Sequence, residues 1–487
     1  MVKYERIYQI LRNKIECGLI PVGTELPGRG NLCKEFNTSE RTARRVVELL
    51  AQDGLLKITP KKRPVVISNL SVQHQKTQQT MEKADAVAAN DILKTSTLLC
   101  YPINNKGMSL CKGDDWNIPE KIVANMDPYK PIEFWRLSNR LWRFFISRNE
   151  NELILRAVDS LGLGNVDPLP GTFEMRKTYH TNLKELIQTM KQGKKPQSVY
   201  FDTVSLLYGI VLDEKEGTPS YQVTSDSPLR IGLKELDQKI YKAQERYSSV
   251  YLDIIGLIAM GRYQFGERLP THENLRKIYG VSIDTTVKAI RILQKWGVVT
   301  ATPKRGIFVA MNLDMLQKIP IDPELIACHV RRYLDTLELL SLTIQEVAAH
   351  AAAYVTPEEA KILYKKLNSQ WNEPHQHQLI PRILLDFIAE HIQYDALRSI
   401  YKVIQKNYVI GRSIPKLVAR DKTSIDYTIY QQCIEIATIL IDGDISCFAK
   451  QSAELFHTIY DLIIKICKKL GYLEAAMQVY DGTALWK

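Results

Sequence analysis

Apolar residues recur at three- and four-residue steps near the start of the chain: Ile7, Ile10, Leu11 and Ile15 predict an amphipathic helix, stopped at Gly18. A short turn, LIPVGTELP, leads to a second helical run around NLCKEF. A polar turn then ends in Thr38-Ser39. Ser39 is a good N-cap for a third helix, ERTARRVVELLAQDG, whose Val46, Val47, Leu49 and Leu50 are expected to face inward. LLKITPKKRPVVI closes the segment with two short β-prone runs around a basic turn.

The same pattern returns without a gap 243 positions later. Tyr251, Ile254, Ile255 and Ile258 make a first helix ended by Gly261, and Leu275 and Ile278 lie on the second. Ser282 caps SIDTTVKAIRILQKWG, and VVTATPKRGIFVAM supplies the hairpin. Shared residues include Gly23/Gly266, Pro27/Pro270, Leu32/Leu275, Ser39/Ser282, Thr42/Thr285 and Gly54/Gly297. These are turn, core and cap positions, so the architecture is repeated while the exposed positions differ. Helix, helix, helix, hairpin is the order of a winged helix-turn-helix. In that arrangement the third helix enters the major groove and the wing reaches phosphates or the minor groove.

The intervening chain reads differently. Residues 71–97 (SVQHQKTQQTMEKADAVAANDILKTST) are polar and read as a linker that becomes helical towards its end. Residues 98–243 and 314–487 carry further runs at helical spacing, among them YHTNLKELIQTMKQGKKP, IPRILLDFIAEHI and CFAKQSAELFHTIYDLIIKICKKLG. WRLSNRLWRFFISRNENELILRAVDSLG aligns with PRILLDFIAEHIQYDALRSIYKVIQ at an offset of 242. The expected fold is therefore mainly α with small β wings: a tandem duplication of two winged helix-turn-helix domains (1–70 and 244–313), each followed by an all-α helical domain (98–243 and 314–487). The stripe Trp135, Trp142, Phe144 and Phe145 reads as core, or as a surface on which two halves pack.

Composition narrows the function. At 487 residues, 45% hydrophobic and 24% charged, the chain is globular and long enough for several domains. It has no apolar run of the roughly 20 residues a membrane span needs, and MVKYERIYQILRNK is no signal peptide. A soluble, cytoplasmic protein without a membrane partner is expected. Eight cysteines form no CxxC pair and read as free, mostly buried thiols. Residues 1–70 carry a net charge of +6 and residues 244–313 one of +5, together the whole +11 of the chain. Charge concentrated on repeated modules is the footprint of a polyanion binder.

The pattern G-x-L-P-x-x-x-x-L, then S-x-x-T-x-x-x-x-x-x-L and a basic wing, resembles the DNA-binding domain of the GntR family of bacterial transcription regulators. The resemblance covers about 65 residues in each half. Where the family reads S-R-x-T-V-R-x-A-L, the first copy keeps Ser39, Thr42 and Arg44; the second keeps Ser282 and Thr285 but has Ile283 and Val287 at the arginine positions. The resemblance implies double-stranded DNA as partner. Candidate contacts are Arg29, Ser39, Arg41, Thr42, Arg44, Arg45, Lys61, Lys62 and Arg63 in the first copy. In the second they are Ser282, Thr285, Lys288, Lys304 and Arg305, with Asp284 disfavouring nearby phosphate.

EVAAHAAAYVTPEE and Ile441-Asp442-Gly443-Asp444 resemble the helical ligand-sensing domain of FadR-type members of the family. Many of these hold a metal through one Asp and three His. Here Asp386 and His391 are five apart, Tyr430 or Cys433 occupies the region of the next histidine, and only His457 matches. His375-x-His377 reads as a solvated loop. No metal or other cofactor is expected, and no catalytic motif is present. Two readings stay open. One is a transcription regulator with both DNA-reading heads in one chain, forming an intrachain pseudo-dimer and open to a small-molecule effector or to homodimerisation. The other is a scaffold that uses winged helices for protein contacts.

Overall fold

The computed structural model describes residues 3–16, 20–36, 38–60, 62–68, 81–83, 86–161, 166–167, 173–194, 222–224, 243–302, 305–316, 319, 321 and 323–478. These separate into two units, one made chiefly of residues 1–236 and the other of residues 237–393 and 398–479.

In the first unit α1 (Lys3–Glu16) buries Ile7, Leu11 and Ile15. The side chain of Ile10 lies outside the described residues. α2 (Arg29–Glu35) adds Leu32, and α3 (Glu40–Gln52) adds Ala43, Val46, Val47 and Leu50 to the same core. Leu49 was expected inside but is only half-buried, because neighbours on a helix diverge by about 100°. β1 (Leu56–Lys57) and β2 (Val65–Val66) pair antiparallel with Leu56 opposite Val66, and Glu25 bridges to Val65 on the outer side.

Beyond this module, β3 (Met81–Lys83) precedes α4 (Ala86–Ser109), which begins inside the segment read as linker. α5 (Asn117–Ala124), α6 (Pro131–Ser147) and α7 (Glu152–Ser160) follow. After β4 (Val166–Asp167), α8 (Phe173–Lys191) stops at Gly193, whose φ of 71° suits glycine. The aromatic stripe is core: Trp116, Phe134, Trp135, Trp142, Phe144, Phe145 and Tyr179 pack in one cluster. The buried Tyr179 hydroxyl is satisfied by Ser138 Oγ at 2.6 Å and by Trp142 Nε1 donating at 2.8 Å. Gly107 brings α4 backbone to backbone against α6, since a Cβ there would lie 1.9 Å from the Phe145 carbonyl oxygen. β5 (Gln222–Thr224) lies between β3 and β4 in a three-stranded antiparallel sheet, with Val223 opposite both Glu82 and Val166. This sheet corrects the all-helical expectation for residues 98–243. Its strands, two or three residues long, carry too few positions to show a period of two.

In the second unit α9 (Ala243–Ala259), α10 (His272–Tyr279) and α11 (Ile283–Lys295) repeat the first module, and β6 (Val299–Thr302) pairs with β7 (Gly306–Val309). The register places Val299 opposite Val309 and Thr300 opposite Phe308, each 243 positions beyond its counterpart in β1 and β2. Gly23 and Gly266 both take positive φ (94° and 81°), as do Gly54 and Gly297 (73° and 72°), so the glycines shared by the two copies sit where other residues would be strained. α12 (Leu313–Leu316) leads to the helical segment: α13 (Pro323–Ala352), α14 (Pro357–Asn372), α15 (Ile380–Glu390), α16 (Asp395–Tyr408), α17 (Ser424–Ile441), α18 (Ile445–Lys469) and α19 (Tyr472–Gln478). α13 packs along α18, and α14 lies against α17. Thr356 and Glu359 form a reciprocal capping box that starts α14.

His377 corrects another expectation. It is 4% exposed in a one-turn 3₁₀ helix, with Nε2 3.8 Å from Asp426 Oδ2. Among the described residues no group of three or more His, Cys, Asp or Glu is placed to hold a metal ion, and no helix is long and apolar enough to cross a membrane.

Candidate nucleic-acid interface

Ser39 starts the third helix of the first module. Its Oγ accepts from the Thr42 backbone N–H at 3.2 Å and donates to Thr42 Oγ1 at 3.0 Å. The cap fixes the first turn, and the buried row Ala43, Val46, Val47 and Leu50 fixes the helix's rotation. Arg41, Arg44 and Arg45 are thereby left on the exposed face. Arg44 Nε lies 2.9 Å from Glu48 Oε1, while Arg41 and Arg45 make no ion pair among the described residues. Arg29 is exposed at the start of α2, and Lys62 and Arg63 are exposed in the turn of the wing. Lys61 lies outside the described residues.

The second module repeats the scaffold with different chemistry on its face. Ser282 caps α11 in the same way, accepting from Thr285 N at 3.2 Å with the two hydroxyls 2.9 Å apart. Lys288 is exposed, but so are Asp284 and Ile283, the latter 47% exposed. Arg305 is exposed at the wing tip, and Lys304 lies outside the described residues. Each serine hydroxyl thus caps its own helix and lies against the threonine hydroxyl three residues on.

Two further side chains of this region were not singled out from sequence. Arg268 bridges to Phe308 at the edge of the wing, where the first module has Glu25. Its guanidinium crosses the wing tip so closely that a Cβ on Gly306 (φ 119°) would lie 2.6 Å from Arg268 Nε. His272, at the position of Arg29, ties α10 to α11 through Nδ1, 3.0 Å from Thr286 Oγ1. Thr286 spends its one proton on the Ile283 carbonyl at 2.7 Å, so Oγ1 accepts and the His272 proton sits on Nδ1. Burial lowers the His272 pKa below its ordinary value. The offset of 243 was the available signal for both: a reversed charge opposite Glu25 and a new ring opposite Arg29.

Both modules are winged helix-turn-helix domains by element order, register and caps. The family described as "Bacterial regulatory proteins, gntR family" matches residues 3–66 and again residues 246–309. An uncharacterized HTH-type transcriptional regulator of Bacillus subtilis strain 168, YdfD, is 36% identical over 67 residues, 14% of this chain and 14% of its own. The HTH-type transcriptional regulator GmuR of the same strain is 39% identical over 56 residues, 12% of this chain and 24% of its own. The matches therefore span a module and well under half of either relative. Among solved structures, Streptococcus agalactiae GntR aligns over 44% of this chain and 99% of its own, at 16% identity and a TM-score of 0.21. Lar, which controls expression of the Listeria monocytogenes agr system, aligns over 46% and 99%, at 16% identity and a TM-score of 0.25. Each module of this one chain therefore matches the helix-turn-helix region of the GntR family on its own.

Proposed function

We propose that the chain is a non-catalytic transcription regulator that binds double-stranded DNA through both modules, as an intrachain pseudo-dimer with unequal heads. The observation that carries this reading is the outward row Arg41, Arg44 and Arg45 on a capped third helix whose other side is buried. Arginines so placed serve phosphates and guanine edges. Tethering a second head raises its effective concentration at the same duplex without recruiting another chain. The second head, with Lys288 and Arg305 but without counterparts to Arg41 and Arg44, reads its half-site more weakly. The helical segments, by their likeness to FadR-type domains, serve effector sensing or assembly, with the DNA-bound population shifted by whatever they bind.

Binding to duplex DNA, followed by fluorescence anisotropy between 50 and 200 mM salt, tests the reading. Some six phosphate contacts make affinity fall by about 10³ over that range. A flat salt response removes it. The second module has a competing use: Ile283 (47% exposed), Ile278 (61%) and Phe265 (70%) put apolar surface on it. If DNA binding is unchanged when Lys288 and Arg305 are both replaced, that module serves protein contacts.

A further inference from the structure

The first helix of the second module is buried on both sides. Ile254, Ile255 and Ile258 of α9 fill the core of their own module with Leu275, Ile290 and Leu293. The opposite side lies on the helices that follow the module. His329 Nε2 is 3.3 Å from Ser248 Oγ, and Arg332 spans Asn407 Oδ1 (Nη2, 2.6 Å) and Ser249 Oγ (Nη1, 3.5 Å). Midway, Gly256 admits no side chain, because a Cβ would sit 2.2 Å from the Arg412 carbonyl oxygen.

Asp253 is the one charge in YLDIIGLIAM, and it is 3% exposed. Its carboxylate is held from two directions. Arg412, in the one-turn 3₁₀ helix Val409–Ser413, donates from Nε to Oδ1 and from Nη2 to Oδ2 at 2.8 Å, and Ser413 Oγ stands 3.4 Å from Oδ1. From the other side Tyr279, the last residue of α10, donates to Oδ2 at 2.7 Å. Immediately beyond Tyr279 come the left-handed Gly280 and the cap residue Ser282, which set the course of α11. Behind Arg412 the contacts run into the helical core: Gly411 abuts the Tyr333 ring, whose centroid is 6.3 Å from that of Tyr408, itself 6.4 Å from Phe456. Burial and the Asp253 charge push the Tyr279 phenol well above its ordinary range. Burial would lower the Arg412 guanidinium, but the charge and hydrogen bond of Asp253, together with Tyr279 and Tyr263, raise it on balance.

The sequence of the first module carries no such set at the matching positions. The corresponding positions are Ile10, Asn13 and Phe36. Its polar residues stand elsewhere: Tyr8 donates to Asp53, and Arg12 Nε lies 2.9 Å from Glu16 Oε1. At the matching corner of the second module Tyr251 meets Trp296 edge-on with centroids 5.2 Å apart.

We infer that Arg412 is a positioning residue, which through Asp253 and Tyr279 sets the second module's helix-turn-helix in one fixed orientation on the helical segment. A buried ion pair is poor evidence for stability, and fixing one geometry among several is its best-attested use. The inference stands on the contacts alone, and only the DNA arm of its test rests on the proposed function.

The test uses the full chain in two variants. Asp253→Leu with Arg412→Met removes both charges, so that neither is left buried alone; Tyr279→Phe removes one hydrogen bond and keeps the ion pair. Thermal melting and hydrogen–deuterium exchange are then read on each. The expected double variant keeps a near-normal melting midpoint while amide exchange in residues 272–295 and 409–413 rises together, about tenfold or more. Tyr279→Phe is expected to raise exchange in 272–295 alone. Unchanged exchange in 272–295 in the double variant overturns the inference, and if that variant does not fold, unchanged exchange there in Tyr279→Phe does so instead. On duplexes selected from a random-sequence pool by the unmodified chain, the double variant should bind about tenfold more weakly with the same salt slope, since it removes no phosphate contact. Should the unmodified chain select no duplex, the DNA reading fails and the exchange result decides the inference.

Discussion

Arg44 Nε and Glu48 Oε1 lie 2.9 Å apart, one turn from each other on the exposed side of α3. An exposed pair of this kind is worth about 0.3–0.5 kcal/mol, whereas a bidentate contact to a guanine edge is worth about 1–3 kcal/mol. Glu48 therefore orients the guanidinium without withholding it. The same two positions in the second module are Val287 and Arg291, so the second face has lost the pair and moved its cation one turn along.

Replacing Arg44 and Arg45 together by Ala should weaken duplex binding by tenfold or more and flatten the salt slope by about two contacts, while Lys288→Ala costs less and about one contact. Anisotropy titrations at several salt concentrations compare them. Equal losses would remove the ranking of the two heads.

Ser39→Ala and Ser282→Ala should each cost about 1 kcal/mol of stability, the ordinary worth of an N-cap. Urea unfolding midpoints measure this. Both hydroxyls are engaged by their own helices, so the salt slope of DNA binding should not move.

Two glycine substitutions in the first unit should have opposite signs. Gly107→Ala forces a Cβ to within 1.9 Å of the Phe145 carbonyl oxygen and should destabilise by about 3 kcal/mol or more. Gly30→Ala, on the exposed side of α2 where a Cβ meets nothing within 4 Å, should stabilise by up to about 1 kcal/mol. Thermal midpoints distinguish them.

Acid should weaken the fold through its buried and half-buried histidines. Burial lowers the pKa of His272, His180 and His377 from the ordinary 6.5. For His180 a backbone contact with Val123, and for His377 the Asp426 charge, oppose that shift without reversing it. Such a group takes up its proton at higher pH when unfolded than when folded. Its contribution is thus whole above pH 6.5 and is lost as pH falls below it. Melting midpoints should drop between pH 7.5 and 5.5, and His272→Asn should shrink the drop for the transition of the second module. A drop of undiminished size in that variant would show that His272 takes no part.

What was legible in the sequence was local. Ser39 and Ser282 announce their helices within one turn, Gly54 and Gly297 their C-terminal turns, and the Val299–Val309 register follows from the Leu56–Val66 one. What was not legible joins distant segments. Asp253 meets Arg412 across more than 150 residues, and neither advertises the other, although a lone charge inside YLDIIGLIAM shows that a partner must exist. The β3–β5 pairing spans 81–83 and 222–224 with three residues on each side, too short for a pattern. His377 reads as solvated in sequence because His375, Gln376 and Gln378 flank it with polar groups; its burial comes from α14, α15 and α17 packed around it, with Asp426 of α17 facing its ring.

The divergence at α9 means the two heads are not interchangeable cassettes. Grafted into the place of the second, the first would present Ile10 where Arg412 requires a carboxylate and Asn13 where its carbonyl leaves room for no side chain. A swap that keeps the protein folded has to carry the Asp253, Gly256 and Tyr279 positions along with the reading helix. The side chains each face presents can thus be rewritten on α3 and α11 without touching this seat, whereas the seat changes only if Arg412 changes with it.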